Sequence, residues 1–299
     1  KDKEKVLIFS KGFSDSINIM EKISMWTMCA LCHDLGYPLE KSQKIINKTK
    51  EMMEVFVSNP KIWSDISFSY DQNDINRYII NFMSSKMKYN EKENKYFGRI
   101  QPKYYLKYKK SLEKYSHGII SSIIIYKMLL YFIESDMNLN DDYPFEEEDA
   151  RQFYIRREML RAMSSHTCED IYQIEITTFT ALLFLCDELQ EWGRKSWKNL
   201  YHGINSNAIK AKLNMFNSSG IDLEEEIDMA SSSINQIEDN IKRIIEKQYI
   251  LYKTTFRDGQ DTAKRTFDIK KKMIIKIDRD KFRSIDVLEI DYSINHSNP

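Results

Sequence analysis

The scarcity of helix-breaking residues is the feature that most limits how this chain can fold. Its 299 residues include only 8 glycines and 5 prolines. These two residues interrupt helices more strongly than any others, and they are frequent in folds built from many short strands and turns. The long stretches without them therefore predict a mainly α fold. A chain of this length can form one large domain, or a main domain with a smaller one beside it.

Apolar periodicity indicates where the helices lie. Apolar residues recur at helical spacing from Ser14 to Cys32, and Gly36 and Pro38 follow where the pattern ends. The same spacing predicts further helices over residues 39–57, 74–87, 104–133, 146–164 and 177–192. The pair His117–Gly118 lies within the third of these, or at a break in it. Residues 88–103 are polar and contain a glycine and a proline, so we interpret them as a loop.

The chain changes character after Trp197. Residues from Leu223 to Tyr249 are polar, with isoleucines at heptad-like spacing, and they predict a satellite helix. Alternating runs at Met273–Ile277 and Val287–Ile294 predict short strands. We therefore predict a helical core over residues 1–200 and a smaller C-terminal α/β appendage over residues 201–299. This appendage is the expected interface for a second copy of the chain or for a partner subunit.

Charge and apolar content exclude some classes of partner. The 45 basic and 45 acidic residues cancel, so no global field attracts nucleic acid or an anionic membrane, and we expect neither as a partner. The longest apolar stretch, Ile119–Ile133, is too short and too polar to span a bilayer. Nothing at the start reads as a signal peptide, and the four cysteines lie in apolar or helical contexts that suit packing thiols. These features predict a cytoplasmic protein.

A small set of polar residues stands where metal ligands would be expected. The chain has only five histidines, and His33 adjoins Asp34 at the end of an apolar helix. His117 and His166 lie in KYSHGIISS and AMSSHTCED, and Asp187 follows the apolar run LLFLC. Taken singly, each could be an ordinary polar residue at a helix end or in a loop. Together, imidazoles and carboxylates converging from several helices suit Zn, Mn, Fe, Ni or Co.

The order of these motifs resembles the HD-domain superfamily of metal-dependent phosphohydrolases. The stretches CHDLGYP, SHGIISS and LLFLCDELQEWGR carry the resemblance, which covers about residues 6–195. It implies an HD-domain helical bundle that binds one or two divalent transition metals, with Mg also compatible. It further implies that His33, Asp34 and Asp187 bind a first metal, with Asp34 as the bridge, and that His117 and His166 complete a second site.

The resemblance also implies a reaction. The expected function is hydrolysis of a nucleotide or another phosphorylated small molecule by metal-activated water. The candidate catalytic residues are Asp34, Lys41 and Arg194. The positive charges of the last two could neutralise phosphate oxygens. Gln190 and Glu191 follow Asp187 at helical spacing and could orient a ligand or a water molecule.

One departure from the family pattern keeps other functions open. The family has a further histidine before the HD pair, whereas residues 1–32 contain none. That histidine could lie upstream of Lys1, Asp2 or Glu4 could replace it, or the site could be degenerate. In the last case the chain would be a nucleotide sensor or an assembly subunit. A third alternative is oxidative chemistry at a di-iron site, as a few relatives perform.

Overall fold

Helices form most of the first of two compact units into which the chain divides. The first unit comprises residues 1–171 and 178–184, and the second comprises residues 172–177 and 185–299. The computed structural model describes residues 17–56, 74–90, 93, 95–133, 144–176, 178–189, 209–217, 220–229, 234–257, 267–276 and 287–296. The predicted boundary at residue 200 lies outside these ranges and stays a prediction.

Nine helices and strands of the first unit, and a further helix that it shares with the second, lie within the described residues. In chain order they are α1 (Ile19–Cys32), α2 (Tyr37–Phe56), α3 (Asp74–Ser84), β1 (Ser85–Asn90), β2 (Lys95–Ile100), α4 (Pro102–Glu113), α5 (His117–Met128), α6 (Leu130–Ile133) and α7 (Glu147–Ser165). Helix α8 (Phe179–Leu189) begins in the first unit and ends in the second. The mainly α class predicted for this part of the chain is confirmed.

Helix α1 ends at Cys32, as the apolar pattern predicts, and begins at Ile19, five residues after the start of that pattern. Asn18 and Glu21 form a capping box, in which each side chain accepts a hydrogen bond of 2.9 Å from the other residue's backbone N–H. The helix ends at Cys32, and Gly36 lies in the tight turn that separates it from α2. Pro38 occupies the first turn of α2, where a missing N–H costs no helical hydrogen bond.

Helix α7 is the central element of the first unit. It packs against α1, α3 and α5, and it buries apolar side chains along most of its length. The rings of Phe82 on α3 and Phe153 on α7 meet edge to face, with their centroids 4.8 Å apart. Because α7 is enclosed on several sides, its C-terminal end is held in a fixed position against α5.

The stretch 104–133, predicted as a long helix with His117–Gly118 within it or at a break, is interrupted just before His117. Tyr115 adopts a left-handed conformation with φ of 56°. The N–H of Ser116 donates to the carbonyl of Ser111, and the N–H of Tyr115 donates to that of Leu112. These two bonds form a Schellman motif, which ends α4. The break therefore places His117 in the first turn of a new helix, α5.

Residues 88–103 were predicted as a loop, and that prediction is wrong. Strands β1 and β2 form an antiparallel hairpin, with Ser85 opposite Ile100 and Asn90 opposite Lys95. The sequence SKMKYN alternates between the two faces of a strand, and Met87 points to the buried one. A half-buried strand can be polar on one face alone. The lysines at those positions made the whole stretch look like a polar loop and hid its two-residue period.

The second unit combines a sheet with one long helix, the α/β composition that the sequence predicts. Its elements are β3 (Gln173–Glu175), β4 (Ile209–Asn217), β5 (Gly220–Asp228), α9 (Ile234–Lys253), β6 (Thr255–Arg257), β7 (Phe267–Lys276) and β8 (Val287–His296). The main sheet has the order β4-β5-β7-β8, with β5 and β7 parallel and the other pairs antiparallel. A core cluster of Ile227, Met229, Ile237, Met273 and Ile275 joins α9 to this sheet.

The predicted satellite helix over residues 223–249 is only partly right. Its first residues belong to strand β5, and the helix runs instead from Ile234 to Lys253. Every second side chain of β5 is buried, as expected for a strand: Ile221, Leu223, Glu225 and Ile227. Three of these inward positions are apolar, and the fourth is Glu225. Its carboxylate lies 2.8 Å from the ammonium of the buried Lys271. An acidic residue at a core position broke the apolar alternation that would have identified the strand.

Within the described ranges, no helix is long and apolar enough to cross a membrane.

Candidate metal centre

His33 and Asp34 lie in the turn that follows α1. His33 caps the helix, and its backbone N–H donates to the carbonyl of Cys29 at 3.0 Å. Its ring nitrogen Nδ1 lies 2.8 Å from the carbonyl of Ala30. A carbonyl oxygen can only accept, so Nδ1 carries the proton and Nε2 of the neutral ring presents a lone pair. This Nε2 lies 3.5 Å from Oδ2 of Asp34.

His166 occupies the equivalent place at the end of α7. Its Nδ1 lies 2.6 Å from the carbonyl of Met163, which fixes the same tautomer as in His33. The ring is buried and meets the rings of both His33 and His117 edge-on, with centroids 5.1 Å apart in each pair. Two helix ends thus turn the Nε2 atoms of two histidines toward one point.

His117 enters the group from the start of α5 and is held by Glu40. One oxygen of the Glu40 carboxylate accepts from the backbone N–H of His117 at 2.8 Å and from its Nδ1 at 2.6 Å. The other ring nitrogen, Nε2, lies 3.2 Å from Oδ1 of Asp34 and 3.2 Å from Nε2 of His166. The ring of Tyr37 packs edge-on against His117 at 5.4 Å.

A glycine after Asp34 allows its turn to approach α5 closely. A Cβ atom at Gly36 would lie 2.3 Å from the carbonyl oxygen of His117. The N–H of Gly36 donates to Oγ of Ser121 at 2.8 Å, and this hydroxyl lies 2.6 Å from the carbonyl of His33. The glycine and the buried serine together hold the HD turn against the first turn of α5.

A second glycine allows α5 to approach the end of α7. A Cβ atom at Gly118 would lie 2.4 Å from the carbonyl oxygen of Met163 and 2.6 Å from Oγ1 of Thr167. The backbone N–H of Gly118 donates to that same hydroxyl at 3.2 Å. The glycine of the HG motif is therefore required by packing, because any side chain there would separate His117 from His166.

The electrostatics of the group reflect its concentration of ring nitrogens and carboxylates. A hydrogen bond with His117, together with the nearby rings of His33 and His166, lowers the pKa of Asp34 to about 2 against the opposing effect of burial. Burial alone would lower the pKa of His117, but its bonds to Asp34 and Glu40 outweigh this effect and raise it. The group therefore favours positive charge at its centre.

The donor chemistry of the group fits a divalent transition metal. His33, Asp34 and His166 each offer one ligand atom, and these three atoms lie within 4.8 Å of one another. When the rings are neutral with protons on Nδ1, the Nε2 atoms and the carboxylate are all acceptors, and a proton or a metal cation must lie between them. A tetrahedral ion with bonds of 2.0–2.1 Å requires ligand atoms ~3.3 Å apart. Within this group, the 3.5 Å separation between Nε2 of His33 and Oδ2 of Asp34 is close to this value.

The structure brings together four of the five predicted metal ligands: His33, Asp34, His117 and His166. Asp187 belongs to the second unit, where Lys247 donates to its backbone carbonyl at 3.0 Å, and its role as a ligand stays a prediction.

Of the predicted cationic residues, only Lys41 is described. Its exposed side chain places Nζ 4.8 Å from the centre of the Tyr37 ring, beside His117. Arg194, Gln190 and Glu191 lie outside the residues that the structure describes.

Sequence reasoning overlooked Glu40, the residue directly before Lys41. Its side chain is only 12% exposed and lies against His117. The sequence gave little reason to select it, because acidic residues are common in the first turn of a helix for capping reasons alone. Only the packing of α2 against α5 shows that Glu40 faces a histidine 77 residues later.

Comparisons of the chain with protein-family models, with curated proteins and with solved structures found no match.

Proposed function

We propose that this protein is a metal-dependent phosphohydrolase of the HD-domain type, acting on a nucleotide or another phosphorylated small molecule. One observation carries the proposal. Ring nitrogens and carboxylate oxygens lie 3.2–4.0 Å apart in the group formed by His33, Asp34, His117 and His166. The Nδ1 atom of each ring is held by a backbone carbonyl or by Glu40. Ligating histidines in metalloproteins have this same second hydrogen bond, which sets the tautomer.

The residues of the metal centre have different roles in this proposal. His33, Asp34 and His166 would hold a divalent metal, and the ring of His117 would supply a further nitrogen beside Asp34. Such an ion would polarise a phosphoryl oxygen and lower the pKa of a water molecule. Asp34 is ionised at neutral pH, because its pKa of about 2 lies far below that range.

Lys41 and Tyr37 form the rim of the proposed site. The ammonium of Lys41 rests over the Tyr37 ring, which in turn packs against His117. A cation in this position can neutralise charge on phosphate oxygens that do not touch the metal. The exposure of both side chains leaves room for a small phosphorylated substrate to approach from solvent.

Metal content and turnover test the proposal together. Elemental analysis of the purified protein should find Mn, Fe, Zn, Ni or Co at one or two ions per chain, and His166→Ala should reduce it. A panel of nucleoside triphosphates, cyclic nucleotides and phosphomonoesters with added Mn²⁺ should then be hydrolysed by the wild type and not by Asp34→Asn. The products to measure are phosphate, pyrophosphate, triphosphate or nucleoside, and a nucleoside monophosphate where the substrate is a cyclic nucleotide. Glu51→Ala, on the exposed face of α2, serves as the control. Protein without metal and without turnover would refute the proposal.

A second candidate is a degenerate HD domain that binds a nucleotide as a sensor or assembly subunit. The observation in its favour is that residues 1–32 contain no histidine, although the family has one before the HD pair. This candidate predicts that metal and nucleotide bind without hydrolysis. Equilibrium binding of a non-hydrolysable nucleotide analogue, measured beside turnover, separates the two: tight binding with no product favours the sensor.

A further inference from the structure

Tyr37 is fixed to the metal centre both by its backbone and by its ring. Its backbone N–H donates to the carbonyl of Asp34 at 2.9 Å, so the first turn of α2 follows the HD turn directly. Its ring meets that of His117 with the centroids 5.4 Å apart and the planes at 78°. Two of the four residues that converge at the centre therefore determine where the Tyr37 ring lies.

The ring of Tyr37 remains open to solvent, unlike the large aromatic side chains of the core. Phe82, Phe132 and Phe153 in the same unit are at most 1% exposed, whereas Tyr37 is 43% exposed. Ligand sites in proteins are commonly lined by aromatic rings beside a few well-placed polar groups. An exposed tyrosine offers a flat apolar face with a polar hydroxyl at one end. The position beside His117 thus presents a flat surface to a ligand at the metal centre.

Lys41 adds a positive charge next to this surface. It follows Tyr37 by four residues, so the two side chains lie on the same face of α2. Its Nζ is 4.8 Å from the centre of the Tyr37 ring, and a hydrogen bond with that side chain is the largest of the effects that raise the pKa of Lys41. A flat ring and a cation therefore stand side by side, both exposed, at the edge of the metal centre.

We propose that Tyr37 determines the specificity of the metal centre by stacking on the base of a nucleotide. The inference rests on the proposed function, because it places the phosphate of the ligand at the metal centre. A base and a phosphate are the two groups that a flat ring and a cation recognise together. A sugar phosphate without a base would use Lys41 and gain nothing from the ring. Tyr37 would thus select nucleotides over other phosphorylated small molecules.

Binding of matched ligands tests the role of Tyr37 without relying on turnover. Isothermal titration calorimetry of the full chain loaded with Co²⁺ compares the four ribonucleoside 5′-monophosphates with ribose 5-phosphate, which lacks only the base. The wild type should prefer at least one of the nucleotides. Tyr37→Leu should lower that preference about 5- to 150-fold, because it removes the stacking surface. Chromatography of the ligands after each titration confirms that they are intact.

Tyr37→Phe separates the ring from the hydroxyl. It should keep the preference for the nucleotide, because the ring is retained, and any weaker hold on Lys41 affects both ligands alike. Tyr249→Leu is the matched control, since Tyr249 is 58% exposed and Lys253, four residues later, lies 4.0 Å from its ring centre. This control should leave the preference within twofold of the wild type.

Two results would overturn the inference while leaving the metal centre intact. One is a wild type that binds Co²⁺ but binds nucleotides no more tightly than ribose 5-phosphate. The other is a Tyr37→Leu variant that binds Co²⁺ and keeps the full preference of the wild type. Failure of the wild type to bind Co²⁺ would instead overturn the proposed function, and this inference with it.

Discussion

Removal of the Glu40 carboxylate should weaken metal binding without unfolding the protein. Glu40 accepts two hydrogen bonds from His117, one of them from the Nδ1 atom that sets the ring tautomer. In Glu40→Ala the ring loses its only described Nδ1 acceptor and can rotate or exchange tautomers, so that Nε2 no longer points reliably at Asp34. Glu40→Gln keeps an oxygen that can accept both bonds but loses the negative charge.

The size of the effect follows from these bonds. Hydrogen bonds to a charged group contribute about 1.5–3 kcal/mol, and removal of the outer partner of a metal-ligating histidine typically costs about 10–100-fold in metal affinity. The side chain of Glu40 is only 12% exposed, so water can replace it only in part. We therefore expect a loss of about 100-fold in Glu40→Ala and about 10-fold in Glu40→Gln.

Titration of metal-free protein with Co²⁺ measures this directly, because the visible absorption of the bound ion reports both affinity and coordination geometry. Glu51→Ala is the matched control, because Glu51 is an exposed acidic residue on the same helix and its carboxylate pairs with Lys48. Thermal unfolding of each variant shows that the fold is retained. If Glu40→Ala binds Co²⁺ within threefold of the wild type and with the same spectrum, Glu40 does not position His117 for metal binding.

Three further outcomes are expected. Gly118→Ala should lower the free energy of unfolding by about 1–3 kcal/mol, because its Cβ would meet backbone at 2.4 Å, whereas Ser24→Ala on the surface should stay within about 0.5 kcal/mol in a denaturant titration. The pKa of His117 is raised above 6.5, so metal-free protein should lose stability as pH rises through that pKa. Over the same pH range the affinity for Mn²⁺ should increase, because the rings lose the protons that compete with the metal. Melting curves in EDTA and in Mn²⁺ from pH 5.5 to 8.5 measure both effects. Burial raises the pKa of Cys29 to about 12, so iodoacetamide at pH 8 should leave this thiol unmodified until the protein unfolds, as mass spectrometry would show.

The helices could be predicted because their signals are local. Periodic apolar residues up to Cys32, followed by Gly36 and Pro38, indicate α1, and scarce glycine and proline explain the helical class. The two errors share one physical cause. In the hairpin and in β5, charged residues occupy positions whose direction depends on cross-strand pairing, and pairing is a long-range property. Glu225 is the clearest case, because a buried lysine on another strand makes its inward position acceptable.

The sequence by itself determined which residues could bind a metal. Only five histidines occur, and the motifs around His33, His117 and His166 distinguish three of them. The tertiary structure decided that these rings converge on Asp34, that backbone carbonyls set two tautomers and that Glu40 sets the third. It also gathered the lysines of the hairpin on one face. The chemistry of a side chain depends only on which residue occupies the position. Whether several side chains meet at one site or share one face depends on how elements far apart in the chain pack together.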